Sequence, residues 1–149
     1  MDNNKIIPSK IHLTNIKTEK ENTILFDGKL DVRPTYDIKV GHSMMHNLEK
    51  ELVKIRLFLD VNAVVEEKPI NQGGNYEIDF FFKIEDLKDH YQINNEKPLF
   101  SGLFVSTLLA ISYSTLRGMM FTLWKDTYLK SVILPVINVP DLLKNIPQL

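Results

Sequence analysis

Histidines and carboxylates are the residues of this sequence that could do acid–base or metal chemistry. His42 and His46 are four residues apart, the spacing at which two helical histidines bind one metal ion. Their segment favours a strand or a bend rather than a helix, and no third ligand follows. We therefore interpret both as ordinary surface histidines, with a metal pair as the alternative. His12 has no such neighbour.

A second cluster, Glu85, Asp86 and Asp89, stands beside His90. We interpret it as a solvated acidic face, with an acid–base dyad as the alternative. The Gly73-Gly74 pair lacks the Lys-Ser/Thr of a phosphate loop, and no serine lies in a Gly-x-Ser-x-Gly turn. The sequence therefore predicts no catalytic residue, no metal site and no cofactor, and we expect a protein that is not an enzyme.

Composition narrows the class of protein further. The chain has 149 residues, of which 44% are apolar and 25% charged, with a net charge of −1 and no cysteine. The length and mixture suit one globular domain over residues 1–149. Balanced charge argues against a nucleic-acid partner held by a basic surface. The absence of cysteine is compatible with the reducing cytoplasm, which is the location we expect.

Period-two alternation predicts the elements that position these side chains. Residues 1–9 read as a loose terminus, and residues 10–98 as a sheet. Two long alternations, 55–65 and 76–84, predict half-buried antiparallel strands. Weaker patterns predict strands over 10–17 and 36–40, joined by a turn-rich connection. A turn is expected at 71–75.

Residues 99–149 read as the helical part. A helix is predicted over 103–125 with Ser101 as its N-cap, then an extended segment bounded by Pro135 and Pro140, then a short helix over 142–146. Strands followed by a helix indicate the α+β class. We expect a four-stranded antiparallel sheet packed on one long C-terminal helix, with a short terminal helix.

The long helix has an unusual surface. Residues 99–116 carry no charge, but they include six Ser and Thr side chains, and Arg117 follows. These features argue against a membrane span. A helix without a polar face needs cover on more than one side, so we expect a homo-oligomer. The predicted interface residues are Leu108, Leu109, Ser112, Leu116, Met119 and Leu123.

The C-terminal third resembles the SecB family of export chaperones. The resemblance rests on Ile111-Ser-Tyr-Ser-Thr-Leu-Arg117 in the long helix and on Leu134-Pro-Val-Ile-Asn-Val-Pro-Asp-Leu-Leu143. Upstream, Arg33-Pro34 leads into an alternating Tyr36, Ile38 and Val40, as in the family's second strand. The order of the motifs agrees from about residue 10 to residue 146.

The resemblance implies a dimer of dimers and a function without catalysis. Such proteins hold unfolded polypeptides in hydrophobic grooves, without ATP, for export. The groove residues it implies are Tyr36, Ile38, Val40, Ile24, Leu25, Phe26, Leu142, Leu143 and Ile146. Glu19 is the implied contact for the translocation motor SecA. The family presents an acidic tail to SecA, whereas this sequence ends Asn-Ile-Pro-Gln-Leu149, so we expect no such contact here.

Three other interpretations stay open. SecB-like relatives also serve toxin–antitoxin systems by holding one unstable antitoxin. The same fold could act as an adaptor for one folded partner. A small-molecule binder or enzyme would instead need convergent polar groups in a pocket near His46 or His90.

Overall fold

The structure, a computed structural model, describes residues 5–24 and 32–140. Its main sheet has four strands: β1 (Ile11–Ile24), β2 (Thr35–Asn47), β3 (Leu52–Val65) and β4 (Lys68–Ile84). All pairings are antiparallel, in the spatial order β1-β4-β3-β2. The predicted four-stranded antiparallel sheet is therefore confirmed, with β1 and β2 at its edges.

The alternating residues of β3 and β4 build the core. On one face of the sheet, Ile55, Val61, Phe80 and Ile84 are completely buried, as the period-two pattern of both strands predicts. Because β3 and β4 are the central strands, their apolar rows lie under the helix. Burying each such side chain contributes about 1.5–3 kcal/mol to stability.

The turn predicted at 71–75 is wrong, because those residues belong to β4. The chain reverses at Glu66 and Glu67, which both have positive φ (51° and 64°), in a two-residue hairpin turn. Gly73 serves a bulge instead: its φ is 155°, and a Cβ there would lie 1.9 Å from the carbonyl oxygen of Val61. Only glycine fits this position.

A small hairpin that the sequence pattern does not indicate comes after β4 and before the long helix in the sequence. Its strands are β5 (Tyr91–Asn94) and β6 (Lys97–Phe100). A 3₁₀ turn over Leu87–His90 precedes it. Tyr91 and Phe100 are opposite each other in register, with ring centroids 5.4 Å apart, so the hairpin has an aromatic inner face.

The long helix, α1 (Gly102–Trp124), is confirmed within one residue at each end. The Ser101 side chain accepts a hydrogen bond from the Phe104 N–H at 3.2 Å, as an N-cap should. Within the helix, Thr107, Ser112 and Thr115 donate to the carbonyl oxygens four residues earlier. These hydroxyls are satisfied within the helix and need no partner chain.

Among the described residues, α1 alone is long and apolar enough to cross a membrane, and 39% of its most apolar window is buried. The buried share faces the sheet. Length and composition therefore do not separate a span from a core helix here, and the packing of α1 on β3 favours the core helix.

One helix cannot cover four strands. A helix with its side chains is about 10–12 Å wide, whereas four strands spaced about 4.8 Å apart span about 15 Å between their outer axes. The core-facing rows of β1 and β2 are accordingly half-buried or exposed, except for the buried His42. Two flanks of the sheet remain, one beside each edge strand.

Candidate functional site

The β2 flank is an apolar row that the helix leaves partly open. The core-facing residues of β2 pair with fully buried residues of β3, for example Ile38 with Val61 and Val40 with Leu59. Ile38 and Val40 are themselves only half-buried and pack against the core. Burial thus decreases from β3 to β2, which leaves a partly exposed apolar row on the outer strand. We call this row, Tyr36, Ile38, Val40, His42 and Met44, the β2 floor.

The floor carries no formal charge along its length. His42 lies in it between Val40 and Met44 and is 6% exposed. Burial lowers the pKa of its imidazole, which favours the neutral ring. Its Nδ1 has no hydrogen-bond partner in the part of the chain that the structure describes. The interpretation of His42 as a surface residue is therefore wrong, because the pleat turns it into the core.

The other histidines have structural neighbours. His46 is exposed, and its ring lies 5.4 Å from the ring of Phe100. Four residues along a strand span about 13 Å, so His42 and His46 cannot share a metal ion. His90 is 8% exposed and stacks on Phe104 at 4.4 Å. Burial lowers its pKa.

Two carboxylates of the acidic cluster near His90 contact residues other than His90. Asp86 forms a salt bridge with Lys10, and Glu85 lies 3.6 Å from His12 Nε2. Across residues 5–24 and 32–140, no group of three or more His, Cys, Asp or Glu side chains could hold a metal ion.

The two edge strands differ in regularity. All thirteen residues of β2 pair with β3 in one unbroken register, and no proline interrupts them. In β1 the register with β4 shifts twice, between Leu13 and Asn15 and between Thr18 and Lys20. Bulges and charged side chains protect a strand edge against further pairing. The β1 edge is protected in this way, whereas β2 is regular and, among the residues that the structure describes, its outer edge pairs with no other strand; we call this the open edge of β2.

Two side chains of α1 hold the extended segment that follows the helix. Tyr113 Oη donates to the carbonyl oxygen of Pro135 at 2.5 Å, and Arg117 Nε donates to that of Leu134 at 3.0 Å. Burial raises the pKa of Tyr113, so its hydroxyl keeps the proton that it donates. We call these two residues the Tyr113–Arg117 clamp. The motif that carried the family resemblance thus holds the C-terminal segment in place.

Beyond the clamp, Leu134 is buried, and Ile137 and Val139 are half-buried against the core. Val136 is 84% exposed. A helix begins at Val139, where the described residues end at Pro140. The short helix predicted at 142–146 lies outside them.

The predicted groove residues are only partly brought together. Tyr36, Ile38 and Val40 share the β2 floor. Ile24 is expected in a connection but is the last residue of β1. It pairs with Gly73, which continues across the sheet to Asn62 and Asp37. These residues lie on the face of the sheet opposite the β2 floor. Ile24 is therefore separated from the floor by the sheet. The remaining groove residues lie outside the described residues: Leu25, Phe26, Leu142, Leu143 and Ile146.

The predicted oligomer interface is placed mostly inside the single chain. Leu108, Leu109, Ser112 and Leu116 are 0% exposed. Their cover comes from their own chain, so their burial needs no second copy. Met119 is half-buried and Leu123 is 37% exposed. The outward face of α1 instead presents other residues, among them Leu103, Ser114 and Phe121.

Glu19, the implied motor contact, lies within a network of charges. Its carboxylate is 3.1 Å from Lys17 Nζ, and it neighbours Asp79. Asp79 is 1% exposed and accepts two hydrogen bonds from Arg56, at 2.7 and 2.9 Å. The Arg56 guanidinium lowers the pKa of Asp79. Glu19 is thus part of a compensated polar network.

Sequence reasoning missed Gln72, which supports the floor from β4. Its Nε2 donates to Tyr36 Oη at 2.8 Å. Tyr36 pairs with Ala63 of the intervening strand, whose small side chain leaves room for this contact. Gln72 is 4% exposed. The predicted turn at 71–75 concealed it, because a turn residue would face solvent.

Comparison with known proteins bears on the fold. No protein-family model and no curated protein matches the sequence. A solved structure of the Mycobacterium tuberculosis SecB-like chaperone Rv1957, in complex with a ChAD peptide from the Rv1956 HigA1 antitoxin, is similar. Its TM-score is 0.63 at 12% identity, covering 87% of this chain and 92% of that one.

A protein of unknown function from Streptococcus agalactiae matches with a TM-score of 0.43 at 10% identity, over 86% of this chain and 97% of that one, a similarity too low to support an argument. The likeness to the chaperone extends over most of this chain, including the four-stranded antiparallel sheet and the long helix. The chain therefore has the α+β fold of a SecB-like chaperone.

Proposed function

We propose that this protein is an ATP-independent holdase that binds extended, non-native polypeptide segments along β2. The observation that carries the proposal is the open β2 edge beside an uncharged, half-buried floor. A strand edge offers backbone N–H and C=O groups to a passing chain, and a neighbouring apolar surface takes its alternate side chains. Both features need only an extended backbone and apolar residues, so the binding has low sequence specificity.

The outer edge of β2 provides backbone hydrogen-bonding groups for this purpose. In an antiparallel edge strand, every second residue directs its N–H and C=O away from the sheet. Within the described residues, no backbone hydrogen bond joins β2 to any segment other than β3. A client strand would pair there, and every second side chain of the client would contact the apolar row that contains Ile38 and Val40.

A client dedicated to this protein is the second candidate. It is favoured by the similarity to a chaperone solved with an antitoxin peptide. A role in export through SecA has less support, since Glu19 is compensated by Lys17. We place the protein in the cytoplasm, where either client would be met, and expect a homo-oligomer formed through the outward face of α1.

The test is suppression of aggregation. A reduced, unfolded client is diluted into buffer with the protein, without ATP, and light scattering is followed. The variant Ile38→Thr/Val40→Thr removes the apolar floor but keeps β-branched side chains. The matched control, Lys39→Thr, changes the outward-facing residue between them.

We expect the wild type and Lys39→Thr to suppress aggregation alike. The double variant should need about tenfold more protein, because losing about 1.4 kcal/mol of apolar burial corresponds to that factor. Melting curves confirm that it is folded. If only one client among several is protected, the dedicated role is the correct one. If no client is protected, the proposed function is wrong.

A further inference from the structure

The β1 flank contains a cavity of about 520 Å³ that the proposed function does not use. Its floor is Tyr76 and Ile78 of β4, and its walls come from β1 and from the C-terminal part of α1. Gly118 is one of the lining residues, and a Cβ there would meet nothing within 4 Å, so a side chain can be introduced at this position. Cavities of this size are typical of small-molecule sites.

The floor of this cavity is fixed in place. Tyr76 Oη accepts a hydrogen bond from Trp124 Nε1 at 2.9 Å and lies 2.6 Å from Thr23 Oγ1. Gly74 makes room for the tyrosine, since a Cβ at Gly74 would lie 2.2 Å from Tyr76 Oη. The opposite wall contains Met119 and Met120, whose flexible side chains adapt to different shapes.

A β-bulge determines the charge at the cavity. Thr18 pairs with Ile78, so an unbroken ladder would bring Lys20 opposite Tyr76. The register shift at Glu19 brings Glu21 there instead and turns Lys20 to the outer face beside Glu77. Bulges re-aim side chains in this way. Glu21 is the single charged side chain among the residues that line the cavity.

We propose that this cavity binds a small molecule with an apolar body and one cationic head group, such as an alkyl or aryl amine, with Glu21 pairing the cation. Charge complementarity selects the head group, and the apolar walls select the body. A compact ligand fits better than an extended polypeptide, because β1 is bulged beside the cavity and offers no regular ladder for a backbone. This inference does not depend on the holdase proposal.

The experiment titrates the full-length protein with octylammonium, octanol and octanoate, which share one apolar body. Trp124 is the single tryptophan of the chain and is bonded to the cavity floor, so its fluorescence reports occupancy, with binding heat measured in parallel. The variants are Glu21→Gln, Glu21→Lys and Gly118→Leu. Gly102→Leu adds the same side chain at the other glycine of α1, where a Cβ would also meet nothing within 4 Å and which does not line the cavity, as a matched control.

We expect octylammonium to bind about two- to fivefold more tightly than octanol, the range for an exposed ion pair. Glu21→Gln should abolish that difference, and Glu21→Lys should make octanoate the tighter ligand. Gly118→Leu should weaken all three about tenfold or more, because it fills the space that their apolar bodies occupy. Gly102→Leu should leave all three affinities unchanged.

Several results would overturn the proposal. One is the absence of both a fluorescence change and binding heat. Another is a head-group preference that Glu21→Lys leaves unchanged. A peptide containing Leu-Lys that binds more tightly than octylammonium, and is lost in Gly118→Leu, would identify a polypeptide as the occupant. A fall in native mass in Gly118→Leu would identify a second copy. Failure of the holdase assay would leave this result unaffected.

Discussion

The Tyr113–Arg117 clamp provides the most specific stability prediction. Both side chains lie on one face of α1, four residues apart, and they bind the carbonyl oxygens of two consecutive residues, Pro135 and Leu134. Replacing Arg117 by Met keeps the apolar stem of the side chain but removes the donor. Replacing Tyr113 by Phe keeps the ring and removes the hydroxyl.

The expected costs differ because one donor is charged. Arg117→Met should lower the free energy of unfolding by about 1.5–3 kcal/mol, the range for a hydrogen bond to a charged group. Tyr113→Phe should lower it by about 1 kcal/mol. The acceptors are adjacent, so the two losses are coupled, and the double variant should lose less than their sum.

Urea unfolding measures these costs, and limited trypsin digestion locates them. Release of the segment should speed cleavage at Lys130 relative to the wild type. Lys125→Met, at the exposed end of the helix, is the control and should change stability by less than about 0.5 kcal/mol. An Arg117→Met variant with wild-type stability and wild-type cleavage would refute the assignment of the clamp.

Three further predictions concern the polar network, the buried imidazoles and the cavity floor. Arg56→Ala should cost about 3 kcal/mol or more, and more than Asp79→Ala, because it leaves a buried carboxylate without its main partner; equal costs in urea unfolding would contradict this. Burial lowers the pKa values of His42 and His90 below 6.5. The unfolded chain therefore binds protons first, and stability should fall as the pH drops below about 6.5. The paired variant His42→Leu/His90→Phe should reduce that fall, and equal wild-type stability at pH 7.5 and 5.5 would contradict the prediction. Gly74→Ala should displace Tyr76 and lower the free energy of unfolding by about 2 kcal/mol or more through overpacking, with a shift in the emission of Trp124. An unchanged spectrum and melting temperature would contradict this, because they would show that the site tolerates a side chain.

Regular periodicity made the central part of the fold predictable. β3 and β4 each repeat one period-two pattern over many residues, and each pattern reflects a buried face, while α1 is indicated by a long apolar stretch without an internal proline. The edge strands were predicted too short because their patterns are weaker. In β1 two bulges break the alternation, and polar residues such as Lys20 and Asn22 resemble a loop.

Features that depend on tertiary packing could not be predicted in the same way. The turn at Glu66 and Glu67 contains no glycine, so the sequence pattern predicts the turn at Gly73 and Gly74 and gives no indication that Gln72 is buried. His42 resembles a surface residue until the register places it in the floor. Leu108, which the sequence predicts at an oligomer interface, is buried by its own chain, because an uncharged helix does not indicate which of its faces the sheet covers.

Amide hydrogen exchange along β2 tests the central claim most directly. The protein is exchanged alone and with a bound unfolded client, and residues 35–47 are compared with residues 11–24. If a client strand pairs with the open edge, alternate amides of β2 should become protected while those of β1 stay unchanged. Protection along β1, or a bound client that leaves every β2 amide as exposed as before, would contradict the account.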